Sequence, residues 1–367
     1  MNILVTGAKG FIGKNLITEL IKEHTVFSFD LDTSKELLDV YCKDANFVFH
    51  LAGVNRPENP EDFKNGNFGF TTELLNLLKK HNNNCPIMMS SSIQAELENP
   101  YGISKKMGED ALFKYSSETG AKVLIYRFQN VFGKWCKPNY NSVIATFSYN
   151  IANNIPIQMN NPDVELNLIY IDDIVKELLR SLNGKGLLEG KYYKVLPFYM
   201  VKLGVIAKLL YSFKESRINR LIPDMSDEFT KKLYANYLTY LPENDFSYLL
   251  KMNIDYRGSF TEFIKTLDRG QVSINISKPG ITKGNHWHHS KNEKFLVVSG
   301  NGVIRFRKIN DTKVIEYFVS GEKLEVVDIP PGYTHNIENL GNSDMVTVMW
   351  ANESFDPNNP DTTFVEV

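Results

Sequence analysis

The chain has 367 residues, 43% of them hydrophobic and 23% charged, more than one hydrophobic core usually holds, so two soluble domains are expected. Its formal net charge of -2 excludes the overall positive body that nucleic acid or an anionic membrane attracts. Cys42, Cys85 and Cys136 are scattered without paired spacing, which argues for reduced thiols rather than a disulfide frame.

The N-terminus begins Met1-Asn2-Ile3-Leu4-Val5, with no basic segment and an apolar run too short for a signal peptide. No apolar stretch approaches the ~20 residues that span a bilayer, so a cytoplasmic protein is expected. Buried strands are predicted at Ile3-Leu4-Val5, Thr25-Val26-Phe27, at residues 47–51, at Ile87-Met88-Met89-Ser90 and at Val123-Leu124-Ile125-Tyr126. Between them lie amphipathic stretches at 14–22, 71–81 and 105–119. That rhythm predicts an α/β domain with a doubly wound parallel sheet of the Rossmann type. The texture changes near Leu241-Pro242-Glu243-Asn244-Asp245, placing the joint between domains 1–243 and 244–367. From Gln271 onward, short strands rich in Val, Ile and Phe are separated by Lys278-Pro279-Gly280, Gly300-Asn301-Gly302, Ser320-Gly321 and Pro330-Pro331-Gly332. Such spacing predicts an antiparallel sandwich or barrel.

Gly7-Ala8-Lys9-Gly10-Phe11-Ile12-Gly13 follows the first strand and opens the first helix. Its glycines permit a tight turn, and its backbone N–H groups suit a pyrophosphate at the helix N-terminus. Asp30 closes the second strand, where an acid would bind the ribose diol of NAD; Asp32 competes for that role. Tyr101 and Lys105 are one helical turn apart, so they share a helix face. A lysine there lowers the phenol's pKa and lets Tyr101 give a proton to a carbonyl oxygen during hydride transfer. Ser90-Ser91-Ser92 follows an apolar strand and offers a hydroxyl to the same oxygen.

Four of the seven histidines lie between 286 and 335. In a strand, i and i+2 point to one face, so His286 and His288 can converge inside a barrel. Glu293, after a turn, and His335, on a later strand, would complete a set of three nitrogens and one oxygen. That set suits Zn²⁺, Fe²⁺, Mn²⁺ or Ni²⁺ without choosing among them. His289 would face away.

The front half resembles the extended short-chain dehydrogenases/reductases, the family of nucleotide-sugar epimerases, dehydratases and reductases. The resemblance rests on residues 6–13, His50-Leu51-Ala52-Gly53, Ser90-Ser91-Ser92, Tyr101-Gly102-Ile103-Ser104-Lys105, Arg127-Phe128-Gln129-Asn130-Val131-Phe132-Gly133 and Tyr170-Ile171-Asp172-Asp173. It implies a catalytic triad of Ser92, Tyr101 and Lys105, with Tyr101 and Lys105 also on the cofactor. It further implies a nucleotide site at Gly7, Lys9, Gly10, Phe11, Ile12, Gly13, Asp30, Leu51, Ala52 and Gly53, and places Asn130 near the sugar nucleotide. The back half is similar to the cupins, jelly-roll barrels, through Gly280-x5-His286-x-His288-x4-Glu293-x6-Gly300 and Pro330-x-Gly332-x2-His335-x3-Asn339. Gly321 lies farther from Pro330 than the second cupin motif has it, implying a longer turn.

A reductase fused to a cupin in this order resembles the bifunctional capsular-polysaccharide enzymes on the route to UDP-N-acetyl-L-fucosamine. That resemblance implies C-3 epimerisation of a UDP-2-acetamido-2,6-dideoxy-hexos-4-ulose by the cupin. Reduction of the C-4 ketone in front would then give a UDP-6-deoxy-talose derivative. NADPH is the cofactor the resemblance implies, although Asp30 leaves NADH open; Lys9 offers a partner for a 2′-phosphate. The metal expected is a divalent ion, foremost Zn²⁺, and a homodimer is expected from barrel edges. Rival readings are a reductase whose cupin is structural or sugar-sensing, a non-catalytic redox sensor and a cupin dioxygenase.

Overall fold

In strand β1 (Asn2–Thr6), Ile3 and Val5 join one apolar cluster and Leu4 joins another. Alternate side chains leave opposite faces of a strand, so two clusters mean a sheet buried on both sides, as parallel strands covered by helices are. The computed structural model describes residues 1–356, 358 and 360–367. These divide into two units, Met1–Leu210 with Lys232–Leu241, and Tyr211–Lys231 with Pro242–Val367.

The first unit continues with β2 (Thr25–Phe29), β3 (Phe47–His50), β4 (Ile87–Ser92), β5 (Val123–Phe128), β6 (Asn130–Phe132), β7 (Glu165–Tyr170), β8 (Leu188–Glu189), β9 (Tyr192–Tyr193) and β10 (Tyr199–Lys202). The main sheet runs β2-β1-β3-β4-β5-β9-β8, parallel except for the last pair. Its order reverses at β1 and β3, and ligands of open α/β sheets bind at the carboxyl ends of strands flanking such a reversal. Both the Gly7 loop and Leu51-Ala52-Gly53 leave the sheet there. A smaller sheet pairs β10, β7 and β6.

The helices are α1 (Phe11–Leu20), α2 (Lys35–Asp44), α3 (Glu61–Phe63), α4 (Phe70–Lys80), α5 (Pro100–Thr119), α6 (Val143–Ala152) and α7 (Ile171–Leu182), followed by α8 (Leu203–Asn219) and α9 (Glu228–Leu238). The amphipathic stretches at 14–22, 71–81 and 105–119 fall on α1, α4 and α5, but each helix begins earlier. For α5 the cause is local: the Asn99 side chain accepts from the Gly102 N–H at 2.8 Å and Pro100 fills the first turn, both N-terminal signals. Periodicity alone misses a polar first turn.

The second unit carries β11 (Met252–Asp255), β12 (Gly258–Lys265), β13 (Gln271–Ser277), β14 (Thr282–Trp287), β15 (Glu293–Ser299), β16 (Asn301–Lys308), β17 (Val314–Ser320), β18 (Val326–Ile329), β19 (Tyr333–Asn339), β20 (Met345–Ala351) and β21 (Thr363–Phe364). They form two antiparallel sheets, β11-β12-β13-β20-β15-β18 and β17-β16-β19-β14-β21. Phe295 and Val297 of the first sheet pack with Ile304, Phe306 and Ile337 of the second, each such side chain contributing about 1.5–3 kcal/mol on burial. This is the cupin-like barrel architecture.

The turn signals at Lys278-Pro279-Gly280 and Pro330-Pro331-Gly332 fall between strands, whereas Asn301 and Gly302 already belong to β16 and Ser320 to β17, leaving Gly300 and Gly321 at the junctions. At Gly300 the requirement is explicit: φ is +84° and a Cβ would lie 2.9 Å from Met345 Cα. Residues 211–231 assort with the barrel, through Ile222 N–H to the Lys265 carbonyl at 2.8 Å and an Arg220–Glu262 ion pair at 2.7 Å.

Candidate active and metal sites

The glycine loop is closed by backbone contact. Gly7 has φ +68°, and a Cβ there would sit 2.7 Å from the Ala52 nitrogen. The Gly10 N–H returns to the Gly7 carbonyl at 3.0 Å. Helix α1 then starts at Phe11 and Ile12 with no capping side chain and no acid in its first turn, whereas Ser34, Asn99 and Ser142 cap α2, α5 and α6. A bare N-terminus beside a sheet reversal fits a pyrophosphate. Gly13 packs against the same loop, a Cβ there meeting the Gly7 carbonyl oxygen at 2.2 Å. The residues present therefore fit a dinucleotide.

Asp30 follows β2 directly. Its carboxylate accepts from the Lys9 N–H at 2.7 Å and the Leu31 N–H at 2.8 Å, which ties the acid to the glycine loop. The Lys9 ammonium is paired with Asp32, both about two-thirds exposed. The lysine that a 2′-phosphate would use is thus engaged, though at the surface.

Tyr101 and Lys105 stand on the first turns of α5, which lies close to the 3₁₀ turn Ile93–Glu96 because residue 102 is glycine. A Cβ there would meet the Gln94 carbonyl oxygen at 2.2 Å. Ser92 ends β4; its hydroxyl accepts from the Gln94 N–H at 3.2 Å and lies near enough to the Tyr101 phenol to draw its pKa down. Ser91 instead donates to Glu109 at 2.6 Å, and Ser90 turns to the His50 carbonyl. So the third serine is the one brought to the tyrosine.

Lys105 is buried, and its Nζ donates to the Ser90 carbonyl at 3.2 Å and lies 5.8 Å from the Tyr101 ring centre. Burial pushes its pKa down to about 8, with Glu109 pulling the other way. The phenol does not behave as the sequence reading expects. Burial raises the Tyr101 pKa above its ordinary value, and only Ser92 offsets this. The ammonium is aimed at the Ser90 carbonyl rather than at the hydroxyl, so it acts on the phenol only through space.

Asn67 is a residue that sequence reasoning missed. It lies on a π-helical segment, Lys64–Gly69, a rare form often found at functional sites. Its side chain bonds both the N–H and the carbonyl of Val54 and donates to Ser104 at 2.9 Å. A Cβ on Gly53 would meet both Asn67 Oδ1 and Lys105 Nζ at 2.8 Å. Asn67 therefore fixes the Gly53 loop against α5. Asn130, expected near the sugar nucleotide, is exposed on β6 and donates to the Asn167 carbonyl at 3.1 Å, rather than to the Ser92–Tyr101–Lys105 group.

In the barrel, one ligand atom from each of His286, His288, Glu293 and His335 lies within 4.8 Å of all the others. His286 and His335 are register partners on β14 and β19, while Glu293 opens β15 in the opposite sheet. His288 Nε2 and His335 Nε2 stand 3.5 and 3.4 Å from Glu293 Oε2. These three atoms and His335 Nδ1 are buried without a hydrogen-bond partner. Buried polar atoms almost always have partners, so the cluster fits a divalent cation by the chemistry of its donors. Burial, then the neighbouring imidazoles, lowers His286 to about 4. Burial pushes the Glu293 carboxyl up, but the two imidazoles and Lys291 outweigh it and hold it well below the carboxylate range. Neutral imidazoles and an ionised carboxylate are the forms that bind metal. His289 is outside this donor group and packs against Trp287, ring centres 4.3 Å apart and planes tilted by 54°.

Among the described residues no helix is long and apolar enough to cross a membrane, and all three cysteines are free.

Residues 3–195 match the model of the NAD dependent epimerase/dehydratase family, and residues 253–363 match the polysaccharide biosynthesis C-terminal domain. The chain is 44% identical over 364 residues to the UDP-2-acetamido-2,6-beta-L-arabino-hexul-4-ose reductase of Pseudomonas aeruginosa, covering 99% of this chain and 98% of that one. The crystal structure of the capsular polysaccharide assembling protein CapF from Staphylococcus aureus is similar at a TM-score of 0.95 and 59% identity, with 100% of both chains covered. A UDP-glucuronic acid 4-epimerase from Bacillus cereus, solved with NAD, shares the fold at a TM-score of 0.55 and 19% identity, over 65% of this chain and 98% of that one. The chain belongs to the NAD dependent epimerase/dehydratase family and carries a polysaccharide biosynthesis C-terminal domain behind it.

Proposed function

We propose that this chain is a bifunctional UDP-sugar enzyme of capsule or surface polysaccharide synthesis. Its barrel, within residues 244–367, inverts C-3 of a UDP-2-acetamido-2,6-dideoxy-hexos-4-ulose. Its front domain, within 1–243, reduces the C-4 ketone to a UDP-6-deoxy-talose derivative. One observation carries the reading: a Ser92–Tyr101–Lys105 group in a nucleotide fold and a buried donor cluster in a barrel occur in one chain, and both chemistries need the same ketone. Similarity over the whole chain to a UDP-sugar reductase supports it.

In front, a bound nicotinamide supplies the hydride for C-4. Tyr101 gives a proton to the ketone oxygen, with the Ser92 hydroxyl orienting that oxygen and the Lys105 charge favouring loss of the phenolic proton. The cofactor proposed is NADPH. Lys9 favours a 2′-phosphate, and Asp30 with Asp32 opposes it.

In the barrel, His286, His288, Glu293 and His335 would hold a divalent cation, Zn²⁺ by its donor set. Such a cation supplies Lewis acidity toward the C-4 carbonyl, which makes the C-3 proton easier to remove. The protein's part is to bury the donor atoms and to keep the His286 imidazole neutral. A cytoplasmic homodimer is the proposed working form.

The test is NMR of the product formed from the 4-keto UDP-sugar in D₂O, with and without NADPH. Deuterium enters C-3 without cofactor, and reduction follows only when it is added. A C-4 alcohol carrying no deuterium at C-3 would overturn the order and the barrel's role.

A further inference from the structure

The metal cluster is held in place by a residue far from it in sequence. Asp361 and His288 are 73 positions apart, yet the Asp361 backbone carbonyl accepts from His288 Nδ1. A carbonyl oxygen only accepts, so the imidazole proton is fixed on Nδ1. Its Nε2, buried and unpartnered, is left as the donor atom.

The Asp361 carboxylate does a second job. It accepts from the N–H groups of His289, Ser290 and Lys291, each at 2.8 Å, and from the Ser290 hydroxyl at 3.0 Å. Those three residues form the turn that leads from His288 to Glu293. This one side chain therefore sets the path between ligands carried on β14 and β15, which lie in different sheets.

The residues after Asp361 reach the remaining ligands. Thr363 and Phe364 pair with Trp287 and His286 on β14, and the Val365 N–H donates to the Asn285 carbonyl at 3.0 Å. The Val365 carbonyl accepts from the hydroxyl of Thr334, next to His335. The C-terminal residues thus touch the segments carrying His286, His288 and His335, and approach Glu293 through the turn at 289–291.

We propose that Asp361 is a positioning residue of the metal site: it selects the His288 tautomer through its carbonyl and fixes the His288–Glu293 turn through its carboxylate. This rests on the metal-binding reading of the barrel. The rival is an ordinary brace, an edge strand that stabilises the barrel with or without metal. The two differ in a measurable way. A brace lowers melting of the metal-free and metal-loaded protein alike, while a positioning residue changes affinity for the ion.

The experiment uses the full-length protein with zinc alone. It compares wild type, Asp361→Ala, Asp361→Asn and His335→Ala by chelator competition and by melting with and without metal. Wild type should take up one zinc per chain, and His335→Ala sets the scale for a lost ligand. Asp361→Ala keeps the backbone carbonyl but frees the turn and the segment that carries that carbonyl, so zinc should bind about 10–100-fold more weakly, the usual cost of losing an outer-sphere partner. Asp361→Asn should fall between, because its amide oxygen still accepts from backbone N–H groups but carries no charge. Zinc affinity equal to wild type in Asp361→Ala overturns the proposal, whatever its melting temperature. Should that variant not fold, unchanged affinity in Asp361→Asn does the same. A wild-type protein that takes up no zinc sinks the metal reading itself, a result distinct from either.

Discussion

The front group and the barrel cluster treat buried polar atoms in opposite ways. Around Tyr101 the protein completes its own bonds. Lys105 donates to Ser90, both nitrogens of His50 sit on threonine hydroxyls at 2.8 Å, and Glu109 is held by Ser91, Arg127 and Tyr192. Around Glu293 four buried donor atoms are left without partners. An unpaired buried polar group costs about 1–3 kcal/mol, so the barrel pays for a preformed cavity that an ion would repay. The front site carries little such cost, because its geometry is finished only when a cofactor and a ketone arrive. Preformed unmet valence marks a site for a resident ion; a satisfied network beside a bare helix end marks one for a ligand that comes and goes.

The sharpest way to break that comparison is Tyr101→Phe. Removing a proton donor used only in front should lower ketone reduction by about a hundred- to ten-thousand-fold. Deuterium exchange at C-3 should proceed unchanged. Loss of both activities together would mean that the two sites are not separate.

A smaller effect is expected from pH. Lys105 has its pKa lowered by burial from 10.5 to about 8, so reduction should decline as the pH rises through 8, while C-3 exchange follows its own profile. Linkage gives the opposite sign for stability. Between pH 8 and 10.5 the unfolded chain holds a proton that the folded one lacks, so this lysine's contribution makes folding more favourable as pH rises across that window. A rate profile flat through pH 8 would show that the ammonium is not required.

The smallest effect is cofactor choice. Michaelis constants for NADPH and NADH should favour NADPH modestly, since Lys9 must leave Asp32 to meet a 2′-phosphate. Asp32→Asn should widen the preference by freeing Lys9. An NADH preference in the wild type would assign the decision to Asp30.

Much of this was legible from residue order, and the reason is local. The glycine loop and the Tyr101–Lys105 spacing each sit within one turn or helix, and His286 and His288 within and just past the end of one strand, where period and backbone freedom leave a direct mark. Asn67 left no such mark. Its role comes from a π-helical turn that brings it to Gly53, and nothing in its neighbours announces that geometry. Lys105 is the instructive miss: its place beside Tyr101 follows from spacing, but the direction of its ammonium follows from where the Ser90 carbonyl lies.

Sequence alone determined the two fold classes, the nucleotide loop and the identity of four candidate metal donors. Each follows from short-range periodicity and from what glycine, histidine and carboxylate side chains can do. Tertiary structure alone decided which of three serines lies nearest Tyr101, that burial raises the phenol's pKa, and that Asp361 bonds His288 and the turn that follows it. Those outcomes depend on desolvation and on bonds between residues far apart in the chain, and neither is encoded in local order.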